Sequence, residues 1–431
     1  MRKIIKEFYY SEIFEKCVFI FLMLIGILSS TLLYSYLADL RFQFGKKAIG
    51  VFIPPFLTIL YMFLVGFRNG FTTKLLLKSI FLFLIQILPF LPLLFKVIQP
   101  NTGEDFARYL VYARNMLENH TLWGGDKLAF PKQGYSYITQ PGYRYFIALE
   151  LLLFKDLYRF VSFVNISLFI IAMFYLIKTI NEQQLKKKSK VILAILVFLT
   201  IPYSVKNILM GLTEWFAVIL MIISAYLYIS KRNVLIAVFI LAFVPFIRQN
   251  LLPSVFLLFL LIILVNKNKL KLAICFIIPL FLPLYHNIYY AGEWRFFVSI
   301  FKWPFLSYSK NNLIPVGINF KLIINNLVHY AGFNIASNRL DFLEEAVGFL
   351  VFYIFVYGYL IKNELKGINR YSFLLITLST IVPSIFLATD FYPRFEYINV
   401  YVTIITFLFL IKINKEKVTI FDDAKKPQVN Y

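Results

Sequence analysis

Apolar residues occur along this chain in long continuous blocks, separated by short stretches rich in lysine and arginine. Blocks lie at about 17–37, 48–67, 79–97, 158–178, 190–206, 212–229, 233–247, 251–265, 271–290, 341–361, 371–389 and 396–412. Most approach the ~20 residues that cross a bilayer as a helix. The blocks are continuous and do not alternate apolar with polar positions, which argues against barrel strands. Pro245 and Pro253 interrupt two of the shorter ones. The pattern predicts an all-α polytopic integral membrane protein, a bundle of about 12 transmembrane helices.

Composition agrees. The chain of 431 residues is 60% hydrophobic and 15% charged, where a soluble domain carries roughly 25% charged residues. Its mean hydropathy is +0.75. A net charge of +22 would suggest nucleic acid in a soluble chain. Here the cations sit in loops between apolar blocks, so they read as orientation signals and no nucleic-acid partner is expected. The run from Lys186 to Lys190 is read the same way. Cys17 and Cys275 both lie in or beside apolar blocks, which supports neither a disulfide framework nor a thiolate metal site. The opening stretch MRKIIKEFYYSEIFEK is polar for too long to be a simple cleaved signal, so the first block reads as a retained span.

Charge then sets the expected topology. With the N-terminus in the cytoplasm, the loops holding Arg68/Lys74/Lys78, Lys186–Lys190, Lys231/Arg232, Lys267/Lys269/Lys271 and Lys362/Lys366/Arg370 all fall inside, as does the C-terminal tail. One short loop, with Arg41, Lys46 and Lys47, falls outside. The parity requires that residues 141–156, PGYRYFIALELLLFKD, do not cross. They are expected to lie at the outer interface, with Arg144, Glu150, Lys155 and Asp156 keeping both ends wet. Two large outer segments remain, about 98–157 and 291–340, and three short outer turns with Lys206–Glu214, Arg248/Gln249 and Asp390–Arg394 join them.

Two outer stretches carry candidate chemistry. In GEDFARYLVYARNML, from Gly103 to Leu117, Phe106, Tyr109, Leu110, Ala113 and Leu117 recur at near-helical spacing, while Asp105, Arg108 and Tyr112 share another face. Such a helix could rest on the membrane and present a carboxylate to a groove. Equally, Gly103, Glu104 and Asp105 could serve only to cap it and complement its dipole. In FPKQGYSYITQPGYRYF, six aromatics are interleaved with Lys132, Gln133, Gln140 and Arg144. Rings stack on sugar faces and cations meet phosphate oxygens, but an aromatic belt with snorkelling cations has the same composition.

These residues carry a resemblance. The pattern D-x-x-R-Y-x-x-x-A-R-x-M-L, followed by an aromatic stretch and QPGYRYF, resembles the first-loop signature of the GT-C membrane glycosyltransferases. It is similar to the aminoarabinose transferase and protein O-mannosyltransferase families. The likeness covers about 55 residues, near 100–155. It implies that Asp105 is the catalytic carboxylate, with Glu104, Arg108 and Tyr109 beside it. A Pro-Pro element of relatives maps onto Pro141-Gly142. The lysine that often precedes that element is Gln140 here, and Lys132 or Arg144 would then meet phosphate. More loosely, GLTEW, FIRQN and FYPRFEY resemble turns that line the donor cavity, implying Glu214, Arg248 and Arg394. Without the resemblance, Glu214 could cap a helix, and either arginine could anchor a span.

The resemblance implies an added N-terminal hairpin in residues 1–74, a catalytic membrane domain in 75–412 and a cytoplasmic tail in 413–431. It implies a polyprenyl-phosphate sugar donor, a lipid, glycan or protein acceptor, and an inverting displacement on the extracytoplasmic face of a cell membrane. Asp105 would act as general base while Arg248, Arg394 and Lys132 stabilise the leaving phosphate. No cofactor is expected. The histidines His120, His286 and His329 lack metal-ligand spacing, although Glu104 and Glu214 leave the question of a divalent metal open. The rival classes are a transporter, which would hide polar groups at mid-membrane, and a polymerase of lipid-linked glycans.

Overall fold

The computed structural model describes residues 12–38, 49–95, 104–118, 141–230, 232–291, 294, 306–308, 315–330, 350–386 and 393–424. The helices are α1 (Glu12–Ala38), α2 (Ile49–Asn69), α3 (Thr73–Ile87), α4 (Glu104–Glu118), α5 (Pro141–Phe154), α6 (Tyr158–Glu182), α7 (Lys187–Leu209) and α8 (Glu214–Ile229). They continue with α9 (Val234–Ile247), α10 (Leu252–Val265), α11 (Lys269–Leu280), α12 (Leu282–Ala291), α13 (Phe320–Tyr330), α14 (Leu350–Glu364), α15 (Ile368–Phe386) and α16 (Pro393–Ala424). Every predicted apolar block contains a helix. Among the described residues, 7 helices are long and apolar enough to cross a membrane, and four shorter apolar ones lie at Glu214–Ile229, Val234–Ile247, Gln249–Val265 and Ile368–Val382.

The fold departs from an all-helical expectation in the second outer segment. There β1 (Leu306–Tyr308) and β2 (Pro315–Ile318) form an antiparallel pair, with Leu306 opposite Ile318. The last helix also continues to Ala424, past the expected end of its span. No proline or glycine follows Pro393 before that point to stop it.

Packing and polar side chains join the helices. Exposed Ile20, Phe21, Leu24, Leu28 and Leu32 line one side of α1, as lipid-facing residues would. On the inner side, Gln86 of α3 donates to the Leu22 carbonyl at 2.9 Å and accepts from Thr58 of α2 at 3.1 Å. Such bonds are effective between helices, where lipid supplies no competing donors. The centre of the bundle is α16, whose residues from Tyr397 to Ile411 are all buried. It packs against α7, α8, α10 and α15.

Side-chain contacts sort the loops by end. Glu15 of α1 accepts from Tyr61 at 3.3 Å and Asn69 at 3.1 Å, and bonds Lys78. Phe71, beside that cluster, rings against Phe174 in the second half of α6. At the far end of the same helices, Arg159 donates to the Leu93 carbonyl at 3.5 Å. Glu364 accepts from the Lys186 amide at 3.0 Å and from Ser189, tying the α14 end to the α7 start. Lys178 and Arg232 both stand over the Tyr226 ring, at 5.7 and 5.3 Å. The cation-rich loops around residues 68–78, 186–190, 232 and 362–370 therefore share one end of the bundle. This is the arrangement that the loop charges predict.

Both ends of α5 lie at the opposite end. Its start packs on Phe246 and Ile247 of α9, and its tail leads through Asp156 into the start of α6. It therefore does not traverse the bundle. Leu149, Leu152 and Leu153 are exposed along its outer side, as suits a helix at an interface. The expectation of wet ends needs correction. Lys155 and Asp156 are exposed, but Arg144 is fully buried and Glu150 is largely enclosed. The reason is that α5 packs its inner face against α4, α9 and α6.

Candidate functional site

The site is assembled where α4, α5, the α7–α8 turn and the α9–α10 turn meet. Two glycines permit the approach. Gly211, in the α7–α8 turn, has φ +62°, and a Cβ there would come within 1.9 Å of the Phe106 ring. A side chain at that position would be strained by backbone and neighbour alike. Gly142 brings α5 so close to α9 that a Cβ would lie 2.9 Å from the Phe246 carbonyl oxygen. Phe106 thus seats the first turn of α4 against the turn that leads to Glu214. Glu104, Asp105 and Arg108 are positioned through their backbone in the first turns of α4.

The floor is aromatic. The Tyr143 ring meets Tyr109 edge-on at 5.4 Å, and its hydroxyl accepts from Trp215 Nε1 at 3.2 Å. Phe146 stacks on Phe216 at 4.1 Å. Burial, followed by the nearby Glu150 carboxyl, pushes the Tyr143 hydroxyl well above its ordinary pKa, so it stays protonated.

Charged groups are buried over this floor. Arg248 Nη2 pairs with Glu214 Oε1 at 3.2 Å, with side-chain exposures of 7% and 1%. Thr213 Oγ1 donates to the other Glu214 oxygen at 3.2 Å. Glu214 opens α8 and Arg248 closes α9, so the pair locks the ends of two helices together. Arg144 stands over the Tyr112 ring of α4 at 4.7 Å. Tyr145 bonds His286 Nδ1 at 2.9 Å, and the Arg144 charge acts on that histidine. At the rim, the Tyr158 hydroxyl and then Arg114 Nη2, each 2.6 Å away, hold the Asp156 carboxyl below its ordinary pKa.

Of the residues picked from sequence, Tyr109, Arg144, Glu214 and Arg248 come together here. Arg394 is the second residue of α16 by its backbone. Lys132 and Gln140 lie outside the described residues. Glu214 does more than open its helix, and Arg248 is buried against its carboxylate. Sequence reasoning gave no role to Tyr143 or Trp215, read Glu150 as a wet end of its helix and weighed His286 only as a metal ligand. The available signal for His286 and Glu150 was an ionisable side chain inside or beside an apolar run, where burial is costly. Among the described residues, no group of three or more His, Cys, Asp or Glu side chains could hold a metal.

Comparison with known protein families, characterised proteins and solved structures finds no match to this chain.

Proposed function

We propose that this protein is a membrane glycosyltransferase that moves a sugar from a polyprenyl-phosphate carrier to an acceptor at the outer end of the bundle. The observation that carries this reading is the convergence of the α4 start, bearing Asp105, with the buried Glu214–Arg248 pair and Arg144. The first-loop resemblance, made from residues near 100–155, covers α4 and α5, which both contribute to this site. In this mechanism Asp105 removes the acceptor proton, and the acceptor oxygen or nitrogen attacks the anomeric carbon. The carbon–oxygen bond to the carrier breaks, and the phosphate leaves with the electron pair. Arg248 and Arg144 supply positive charge for that phosphate in surroundings where it is little screened. Glu214 orients Arg248, and a single displacement of this kind inverts the anomeric centre.

The test is transfer from labelled polyprenyl-phosphate sugars by purified protein, with an extract of acceptors. Asp105→Asn is expected to fold and to lose activity by about 100-fold or more. Activity retained in Asp105→Asn and in Glu104→Gln would refute the mechanism.

A second reading has one specific observation behind it. Within the bundle, Tyr401 of α16 accepts from Thr200 of α7 at 2.8 Å, with Ser204 at 3.4 Å, all buried. Polar groups this deep are what a transporter needs. Uptake by proteoliposomes that survives Asp105→Asn would favour that class.

A further inference from the structure

One helix of the second outer segment leaves a row of large apolar side chains uncovered. α13 is started by Asn319, whose side-chain oxygen accepts from the Leu322 amide at 3.2 Å and whose carbonyl accepts from the Ile323 amide at 3.2 Å. Phe320, Ile324 and Leu327 are 64%, 57% and 42% exposed. At spacings of four and three they share one face of the helix. Ile318, just before the cap, is exposed as well. Lys321 and Asn325, spaced by four, are exposed on a second face, and Leu322 and Ile323 are partly buried on a third. The helix packs against α15.

Three faces imply three surroundings. A helix that rests on protein in water needs only two, with polar residues over all of its free side. A helix on a bilayer surface turns an apolar face to the acyl boundary and a polar face to water. The stem of Lys321 is long enough to carry its ammonium to the level of the lipid phosphates.

The neighbouring helix points to lipid as the occupant. Tyr371, Leu374, Leu378 and Val382 of α15 are exposed at spacings of three and four, as the lipid-facing side of a span would be. This helix begins at the cation-rich end, where Arg370 Nε donates to the Leu365 carbonyl at 2.9 Å. It reaches the site end, where Ser379 Oγ is 3.0 Å from Ser254 Oγ in the first turn of α10, and where the 3-10 turn after Arg248 packs on it. α13 thus rests on a helix whose free side is already in lipid. The site end also carries exposed tyrosines. Tyr285 and Tyr289 stack at 6.2 Å on α12, the helix whose His286 reaches Tyr145. Exposed tyrosines gather where a bilayer meets water. A second copy of the chain or a soluble partner could cover the apolar row, but neither accounts for the lipid-facing side of α15 beside it.

We propose that α13 is a membrane-surface helix, with Phe320, Ile324 and Leu327 in the acyl boundary of the outer leaflet and Lys321 at its phosphates. The second outer segment is then held on the bilayer by α13, as the first is by α5. This placement is independent of the transferase reading.

The experiment uses the full-length protein with Cys17 and Cys275 replaced, bearing one new cysteine with an environment-sensitive fluorophore, in nanodiscs that hold one copy each. Ile324→Cys, Leu327→Cys and Asn325→Cys probe α13, Leu378→Cys is the lipid reference, and Lys187→Cys is the water reference. The discs contain phosphatidylcholine with plain acyl chains or with chains brominated near the carbonyl. The probes at Ile324→Cys and Leu327→Cys should lose about half their intensity or more in brominated discs, as at Leu378→Cys, and resist aqueous iodide. The probes at Asn325→Cys and Lys187→Cys should be quenched by iodide and little affected by bromine. The two reference positions establish that the bundle is inserted, and two apolar positions guard against local disruption by either one. Iodide quenching at both Ile324→Cys and Leu327→Cys, without a bromine effect, overturns the proposal. Protection of both from either quencher also overturns it, since protein would then cover the row. Iodide quenching that disappears only in densely loaded vesicles would assign the row to a second copy instead.

Discussion

Substituting Arg248 with methionine removes one member of a buried ion pair and keeps much of its volume. The charges are 3.2 Å apart, and their carriers are 7% and 1% exposed. At an effective dielectric constant of ~20, attraction at this distance is worth about 5 kcal/mol. Desolvation offsets much of it, so the net contribution of the pair is small. The single substitution is different, because it strands the Glu214 carboxylate without its counter-charge. Arg248→Met is therefore expected to destabilise the protein by about 3–5 kcal/mol. Glu214→Gln strands the guanidinium and should cost a similar amount. The double variant, Glu214→Gln with Arg248→Met, contains no stranded charge and should recover to within about 1 kcal/mol of the original. The assay is reversible denaturant unfolding of purified protein in mixed micelles, with all four proteins compared as a cycle. A double variant as unstable as the two single losses added together would refute the reasoning. So would single losses below about 0.5 kcal/mol. The recovered double variant also separates fold from function: it should be stable and still use a phosphate-linked donor poorly.

Gly211→Ala should destabilise the α7–α8 turn and lower transfer, because a Cβ meets Phe106 at 1.9 Å and φ is +62°; adding Phe106→Leu should restore part of the loss, measured by unfolding and activity together. Burial raises the Glu150 carboxyl pKa to about 7, against a smaller opposing effect of the Asn165 amide 2.7 Å away. The folded state thus favours protonated Glu150. Its contribution is fully present below the ordinary carboxylate pKa, and is lost as pH rises through about 7. Glu150→Gln should flatten that part of the stability profile between pH ~5 and ~8, and an unchanged slope would contradict the assignment. Single cysteines at exposed Lys155 and Lys187, after replacement of Cys17 and Cys275, should be labelled from opposite sides by an impermeant thiol reagent, with Lys155 reached in intact cells. Labelling of both from outside would mean that α5 makes an additional crossing.

The helical class, the positions of the apolar blocks and the gathering of cationic loops at one end were legible in the chain, because each depends on local composition. A block of apolar residues must satisfy its own backbone bonds in lipid, and charge biases the loop beside it. The non-crossing character of α5 also followed from the sequence, although only through the loop charges around it. The pairing of Glu214 with Arg248 was not legible: they are far apart in sequence, and each alone reads equally well as a cap or an anchor. Nor could periodicity tell that Arg144 and Glu150 would face inward. In a helix at the membrane boundary, both lipid and protein accept apolar residues, so apolar spacing does not mark the inner face. Only the approach of α4, α9 and α6 decided which side chains of α5 lost their water. The glycines at 142 and 211 show the same division: sequence marks them as turn or helix-start residues, and the Phe246 backbone and Phe106 ring packed against them give the reason that no larger residue fits. Spans are specified by contacts between chain and solvent. The site depends on contacts between distant parts of the chain, which come into being only when the helices are packed.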